Sequence, residues 1–344
     1  MTALSSRIAV LYLVCVSANL CLAASPLVPG TGYKVDVVGD DFETPGWGFV
    51  HNFPKSSEEI DDQRRFPTGK ATNDRWYEGI KRGQPDFLKV VPTPENGLPG
   101  STMSLLMRTR DSGVPGVRSY KMEQDDLVVN GHTRMGGPVA VSYGPSCVVR
   151  VYMPPFDKWE NRSGATFGFR TSLTTHAMRV DPQVREEIKK GKKRFGLFER
   201  QPKKEWGPDT YWPGMFVQFR SETDRRFNED SAYFTIRGSQ QGGDIRGPEI
   251  TETGWWTLGI SCTADGQVHY FVKKGIADLT AADHVTSQLP YGYKAEEFKT
   301  FFFNVCNQND GSTWSTPWII DDPSMYLASG QVVNQANQTR RGRR

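Results

Sequence analysis

Five residues stand at positions where their side chains could grip a polar ligand: Arg170, Gln218, Arg220, Tyr233 and Arg237. They fall within three strand-like segments, 165–172, 215–221 and 232–237, on the polar side of each alternation. Alternate side chains of a strand point the same way, so the five would share one face if the strands are neighbours. Guanidinium groups offer planar, bidentate recognition of carboxylate or sulfate, and Gln and Tyr suit hydroxyls. The competing role for the arginines is salt bridging to acids on adjacent strands. A second group is aromatic: Trp206-Gly207-Pro208-Asp209-Thr210-Tyr211-Trp212-Pro213 reads as a loop. Trp206, Tyr211 and Trp212 could stack on sugar rings there, as could Trp314 in a Gly- and Ser-flanked loop. The competing role for these rings is to pin loops onto the core.

Acid–base chemistry is less well marked. A retaining glycosidase needs two carboxyls roughly 5–5.5 Å apart. Glu222 and Asp224 have the i, i+2 relation, but they sit among Arg220, Arg225 and Arg226, as surface ion pairs would. The five histidines, His51, His132, His176, His269 and His284, are scattered. His176 is the one worth testing, because it follows the 165–172 segment. The chain has no Gly-rich phosphate loop, serine-nucleophile motif or zinc-ligand spacing.

The elements that must position these groups read as strands. Apolar and polar residues alternate in short runs bounded by Gly, Pro, Asn and Asp. The runs are 33–38, 104–110, 139–143, 147–153, 165–172, 215–221, 232–237, 255–263, 267–273, 301–306 and 324–327. Ala264-Asp265-Gly266 marks a hairpin between 255–263 and 267–273. Helical periodicity is found mainly at 182–194, where Pro182 could open a short helix. Many strands without alternating helices predict an all-β fold: an antiparallel two-sheet β-sandwich, or jelly roll, with a short helical and basic insertion.

Composition sets the organisation. The 344 residues are 37% hydrophobic and 24% charged, enough to bury a core. Arg7 precedes an apolar run, 8–23, with a small-residue exit at Leu22-Ala23-Ala24. That is the layout of a cleaved signal peptide over residues 1–23. The protein is therefore expected to be secreted, periplasmic or extracellular, with no membrane span after cleavage. One sandwich domain is expected over 24–330, with an insert at about 179–212, and a disordered basic tail over 331–344. Residues 179–206 carry ten Lys/Arg against five Asp/Glu, and Arg340, Arg341, Arg343 and Arg344 end the chain. Since the net charge is only +3, the body is acidic, which argues against a nucleic-acid partner. Cys147, Cys262 and Cys306 remain after cleavage, so at most one disulfide is available among them. The sequence leaves open whether they pair or stay buried as thiols.

Three stretches resemble the concanavalin A-like lectin/glucanase superfamily. They are Asp40-Asp41-Phe42-Glu43 with Gly46-Trp47, then 255–271, then Trp318-Ile319-Ile320-Asp321-Asp322 with Met325-Tyr326-Leu327. The resemblance implies a jelly roll whose first and last strands lie together, with 255–271 as a pair of outer strands. It also implies a structural calcium at the edge where the ends meet, with Glu43 and Asp321 as ligands and Asp41 or Asp322 beside them. Calcium requires six to eight oxygens, and such an ion would tie the two ends together. The Glu-x-Asp-x-x-Glu arrangement of laminarinase-type members is missing. Alginate lyases of this general fold carry a Tyr-x-Lys-x-Gly segment, which Tyr270-Phe271-Val272-Lys273-Lys274-Gly275 faintly matches. Their Gln-x-His element is reduced to Gln218-Phe219-Arg220.

The function expected is therefore an exported carbohydrate-binding protein for a polysaccharide, acidic or sulfated in view of the arginines. The alternatives are a polysaccharide lyase or glycoside hydrolase of the same fold, and a structural or adhesive cell-surface protein. The sequence does not decide whether the chain is an enzyme.

Overall fold

Period-two alternation shows directly in the strand Gly164–Val180. Phe167 and Phe169 point into the core, while Gly168 and Arg170 take the other face. The computed structural model describes residues 25–58, 65–180 and 204–329. The expected signal peptide, the 182–194 helix and the basic tail lie outside these residues.

Among the described residues two antiparallel sheets account for nearly all the regular structure. The first has eight strands in the order β17 (His284–Gln288), β16 (Val268–Lys274), β15 (Gly254–Cys262), β9 (Pro145–Met153), β19 (Trp318–Leu327), β6 (Met103–Arg108) and β5 (Phe87–Pro92), and β1 (Tyr33–Gly39) also pairs with β19. The second has eleven, in the order β14 (Asp244–Ile250), β13 (Ser231–Arg237), β12 (Gly214–Arg220), β10 (Gly164–Val180), β18 (Glu297–Asn307), β7 (Glu123–Val129), β4 (Trp76–Glu78), β3 (Lys70–Ala71) and β2 (Phe49–Val50). In the second sheet β11 (Lys204–Tyr211) pairs with β10, and β8 (Val139–Ala140) pairs with β18. A short helix, α1 (Gly131–Met135), follows β7. The chain is thus the all-β sandwich expected.

The core lies between the sheets. Trp318, Ile320, Val149, Val151, Leu258 and Ile260 come from one, and Phe167, Phe169, Phe303, Phe234 and Leu127 from the other. Ring contacts cross the layer: Phe167 lies 4.9 Å from Trp318 between centroids. The first and last strands do lie together, with Tyr33 opposite Leu327. β15 and β16 form the expected hairpin, Cys262 facing Val268 across a turn in which Gly266 has φ 85°. They are not outer strands, however, because β17 covers β16 and β9 covers β15.

The structure corrects the loop reading over 206–211, while 212 and 213 do connect two strands. Residues 204–211 form a strand that pairs with residues 173–180 of β10, from Leu173 opposite Tyr211 to Val180 opposite Lys204. β18 covers β10 only as far as Thr174, so beyond it β10 and β11 continue as a two-stranded arm. Gly207 and Pro208 masked the strand in the sequence, and such residues are tolerated where pairing is one-sided. Cys147, Cys262 and Cys306 are free and buried; Cys306 is in the second sheet and the other two are in the first.

Candidate functional site

Strand register aligns the polar face of the eleven-stranded sheet into rows. Across one row run Val128, Phe302, Arg170, Gly214 and Arg237, each directly opposite the next. Beside it run Asp126, Asn304, Gly168, Phe216 and Thr235. Farther along come Gln218, Tyr233 and Glu249. The five polar residues singled out from the sequence therefore share one face.

Two glycines make the rows possible. A Cβ on Gly214 would come 2.4 Å from Arg170 Cγ, so glycine leaves the space that Arg170 occupies. A Cβ on Gly168 would lie 2.7 Å from both the Phe216 ring and Asn304 Oδ1. Phe216 then supports two cations, with the Arg170 guanidinium 5.6 Å and that of Arg237 4.4 Å from its centroid. Arg170 also lies 5.3 Å from the Phe302 centroid. Its Nε donates to the Trp212 carbonyl at 2.9 Å, and its Nη2 donates to the same oxygen. This fixes the corner between β11 and β12. Arg237 faces Asp244 at 3.4 Å.

A cavity of about 390 Å³ opens over this part of the sheet. Arg170, Arg237, Trp212 and Tyr291 line one side, and Lys81, Arg82 and Tyr77 the other, with Asp126 and Gln124 also in its wall. Its size falls within the range of ordinary ligand pockets. The Lys81 ammonium sits 4.3 Å from the Trp212 ring centroid, linking the two walls. Arg82 lies 3.6 Å from Glu123. Asp126 accepts from Asn304 Nδ2 at 2.6 Å and Gln124 Nε2 at 3.0 Å. Burial raises its pKa, and Arg82 and Arg170 oppose that rise. Burial also raises the Tyr77 hydroxyl, which favours its protonated, donating form. Asn304 Oδ1 is buried with no hydrogen-bond partner among the described residues. The arrangement presents four cations and three kinds of aromatic ring around one carboxyl, which suits an anionic, ring-bearing ligand.

The remaining candidates are distributed otherwise. Arg220 and Arg246 stack on Tyr233, at 4.5 and 4.4 Å, and both reach Glu249. With Gln218 they continue the polar face beyond the cavity lining. Tyr211 is turned into the core, 5% exposed, against Tyr291 and Tyr293, so it has no open face for a sugar. Trp206 is exposed on the arm, stacked on His176, whose Nδ1 is 2.6 Å from Glu296. Trp314 lies between Arg108 and Arg110, at 5.1 and 5.3 Å. Asp224 forms an ion pair with Arg226, as the surface ion-pair reading of this segment expects. Lys81, Arg82, Tyr77, Asp126, Asn304 and Tyr291 were missed. No motif marks them, because apart from the adjacent Lys81 and Arg82 each is brought in by a different strand or loop.

At the seam of the chain ends, Glu43 accepts from the backbone N–H groups of Thr102 and Met103 at 2.6 and 2.9 Å. Asp321 is buried, and its Oδ2 has no partner among the described residues. Burial pushes its carboxyl up to about 6, and the charges of Asp322 and Glu43 add to the shift. Asp322 faces Lys34 at 3.2 Å, and Asp41 accepts from the Glu43 N–H. An orphaned oxygen beside a second carboxylate fits part of a calcium site. No cluster of three or more such ligands is found among the described residues.

No protein-family model and no curated protein matches this chain. Among solved structures, it is similar to a carbohydrate esterase from a Shiga toxin-encoding bacteriophage, with 10% identity and a TM-score of 0.39 over 82% of this chain and 100% of that one. It is also similar to an alginate lyase from Klebsiella pneumoniae, with 11% identity and a TM-score of 0.33 over 84% and 95%. An endo-β-1,4-glucuronan lyase from the fungus Trichoderma reesei gives 11% identity and a TM-score of 0.31 over 70% and 90%. Likenesses this distant carry no functional argument, which rests instead on the groove.

Proposed function

We propose that this protein is exported and binds an anionic polysaccharide in the groove of its eleven-stranded sheet. The observation that carries this reading is the convergence of Lys81, Arg82, Arg170 and Arg237 on one cavity with Trp212. Arg170 and Arg237 are two strands apart, about 10 Å at the usual spacing. A polymer lying across the strands would meet them in succession. The rings hold sugar faces and the cations hold carboxylates or sulfates.

The test is binding of the full-length protein to neutral, uronic and sulfated polysaccharides, with each mixture checked for new reducing ends and for unsaturated uronates. Salt-sensitive retention on the anionic polymers without product is the expected result. Retention on neutral polymers alone, or on none, would remove the proposal.

Elimination by a lyase is a second reading, favoured by one observation: Tyr77 lines the same cavity as the cations that would neutralise a uronate. The raised pKa of Tyr77 works against its acting as a base, so we place binding first. Formation of unsaturated uronate would reverse that order.

We also propose a structural calcium at the seam, with Glu43 and Asp321 supplying carboxylate oxygens and backbone carbonyls and water supplying the rest. Support comes from the orphaned Asp321 oxygen and the repulsion between the two acids.

A further inference from the structure

A buried amine lies between two carboxyls on the core side of β7, the face opposite to the groove. Lys55, in the connection between β2 and β3, has a side chain only 3% exposed. Its Nζ is 2.5 Å from Asp125 Oδ2 and 2.9 Å from Asp86 Oδ1. Asp125 is fully buried on the core side of β7, in line with Leu127 and Val129. Asp86 immediately precedes β5 of the opposite sheet. Gly83 admits the lysine, because a Cβ there would lie 2.3 Å from Lys55 Cβ.

The two acids are held in different states. Asp86 Oδ2 accepts from the backbone N–H groups of Arg110 and Asp111, at 2.7 and 2.8 Å, which favours its anion. Among the described residues Asp125 has no backbone donor, and its Oδ1 has no hydrogen-bond partner. The Thr109 hydroxyl touches Oδ2 of both acids. A hydroxyl has one hydrogen, so it can donate to only one of two carboxyls. The other contact requires that carboxyl to bring its own proton, and the better-solvated Asp86 is the poorer candidate. Asp125 is therefore the neutral acid, consistent with burial pushing it up to about 8 while Asp86 is lowered. An ammonium, a carboxylate and a carboxylic acid thus share one water-poor site.

We propose that Lys55 and Asp125 form an intramolecular isopeptide bond, with Asp86 as the proton relay. The Lys55 ammonium passes one proton to Asp86. Its nitrogen lone pair then attacks Asp125 Cγ, forming the C–N bond. The C–OH bond breaks, and the hydroxyl takes a second nitrogen-borne proton through Asp86 and leaves as water. One amide, one water and a protonated Asp86 result, so atoms and charge balance without any co-reactant. The driving force is removal of a buried ion pair, which is costly to keep desolvated, together with release of water. The bond would tie the β2–β3 connection to the centre of the eleven-stranded sheet.

The experiment is proteolysis of the denatured full-length protein followed by mass spectrometry. The expected product is one branched peptide joining the Lys55 and Asp125 segments, about 18 Da (one water) below the sum of the two. Cleavage after Lys55 should be blocked. The Lys55→Arg variant should give two linear peptides. Asp86→Asn, which keeps the acceptor for Arg110 and Asp111, should lose the branched product although circular dichroism shows it folded. Two linear peptides from the folded wild-type protein would overturn the proposal. So would loss of water confined to the Asp125 peptide alone, the mark of a cyclic imide. Branched peptide from folded Asp86→Asn would overturn the relay.

Discussion

At the residue scale, Arg237 separates ligand recognition from folding. It is half-buried, stacked on Phe216 and 3.4 Å from Asp244. Arg237→Ala should weaken binding of an anionic polysaccharide by about tenfold, as for loss of one charge-assisted hydrogen bond worth roughly 1.5 kcal/mol. Titration calorimetry would show it, and the salt dependence should flatten. Equal affinity for wild type and variant would place the ligand elsewhere. His269 tests burial instead. Its ring joins Thr263 and Ser287, and burial pulls its pKa down to about 4. The unfolded chain takes up that proton near pH 6.5 and the folded one only near 4. The stability held above pH 6.5 is therefore lost as pH falls through this window. Melting curves from pH 7 to 4 should fall less steeply for His269→Gln, and parallel curves would count against the assignment. These two residues differ in legibility. Arg237 stood out because it alternates with Phe234 and Ile236, whereas nothing in the sequence separated His269 from the other histidines. A buried histidine is recognised by its partners, and those come from other strands.

At the element scale, the sheet face depends on where glycine interrupts it. Gly214→Ala would drive a Cβ to 2.4 Å from Arg170 Cγ and 2.5 Å from the Phe169 carbonyl oxygen, so the β10 backbone would have to shift and carry Arg170 from its place on the Phe216 ring and the Trp212 carbonyl. Overpacking of this kind costs about 1–3 kcal/mol. Denaturant unfolding should show that loss together with weakened ligand binding; an unchanged midpoint would mean Arg170 has room to move. The arm makes the opposite prediction. Met178 and Trp206 face each other across it and are 55% and 69% exposed. Cross-strand pairs contribute about 0.2–1 kcal/mol, so Trp206→Ala should barely change the melting temperature. A large fall would show that the arm packs on something further. Strands β10, β12, β13, β15 and β16 were legible because each keeps its alternation. β7 was not, because Glu123-Gln124-Asp125-Asp126 reads as a turn. Its acids are accommodated by Lys55 on one face and by Asn304 and Gln124 on the other. Polar residues enter a central strand only with such partners, and the partners are far away in sequence.

At the scale of the whole molecule, the pairing of β1 with β19 closes the sandwich by joining residues close to its two ends. The proposed calcium would act on this closure. Calcium should raise the melting temperature and chelator should reverse the gain, since a ligand bound only by the folded state stabilises it. Asp321→Asn should remove the response by neutralising the buried acid, while Arg237→Ala should keep it. An identical melting temperature with calcium and with chelator would remove the metal from the seam. The sequence by itself determined the class of the fold and the polar residues of the central strands. Those properties are local: alternation of period two selects a strand, and it assigns each side chain to a face. Only the tertiary structure decided which of these residues form a cavity, that Tyr211 turns inward, and that Lys55 lies between Asp86 and Asp125. The physical reason is register. Pairing strands 40 to more than 170 residues apart, such as β10 with β12 and β18 with β7, sets which side chains become neighbours, and no short stretch of sequence encodes it.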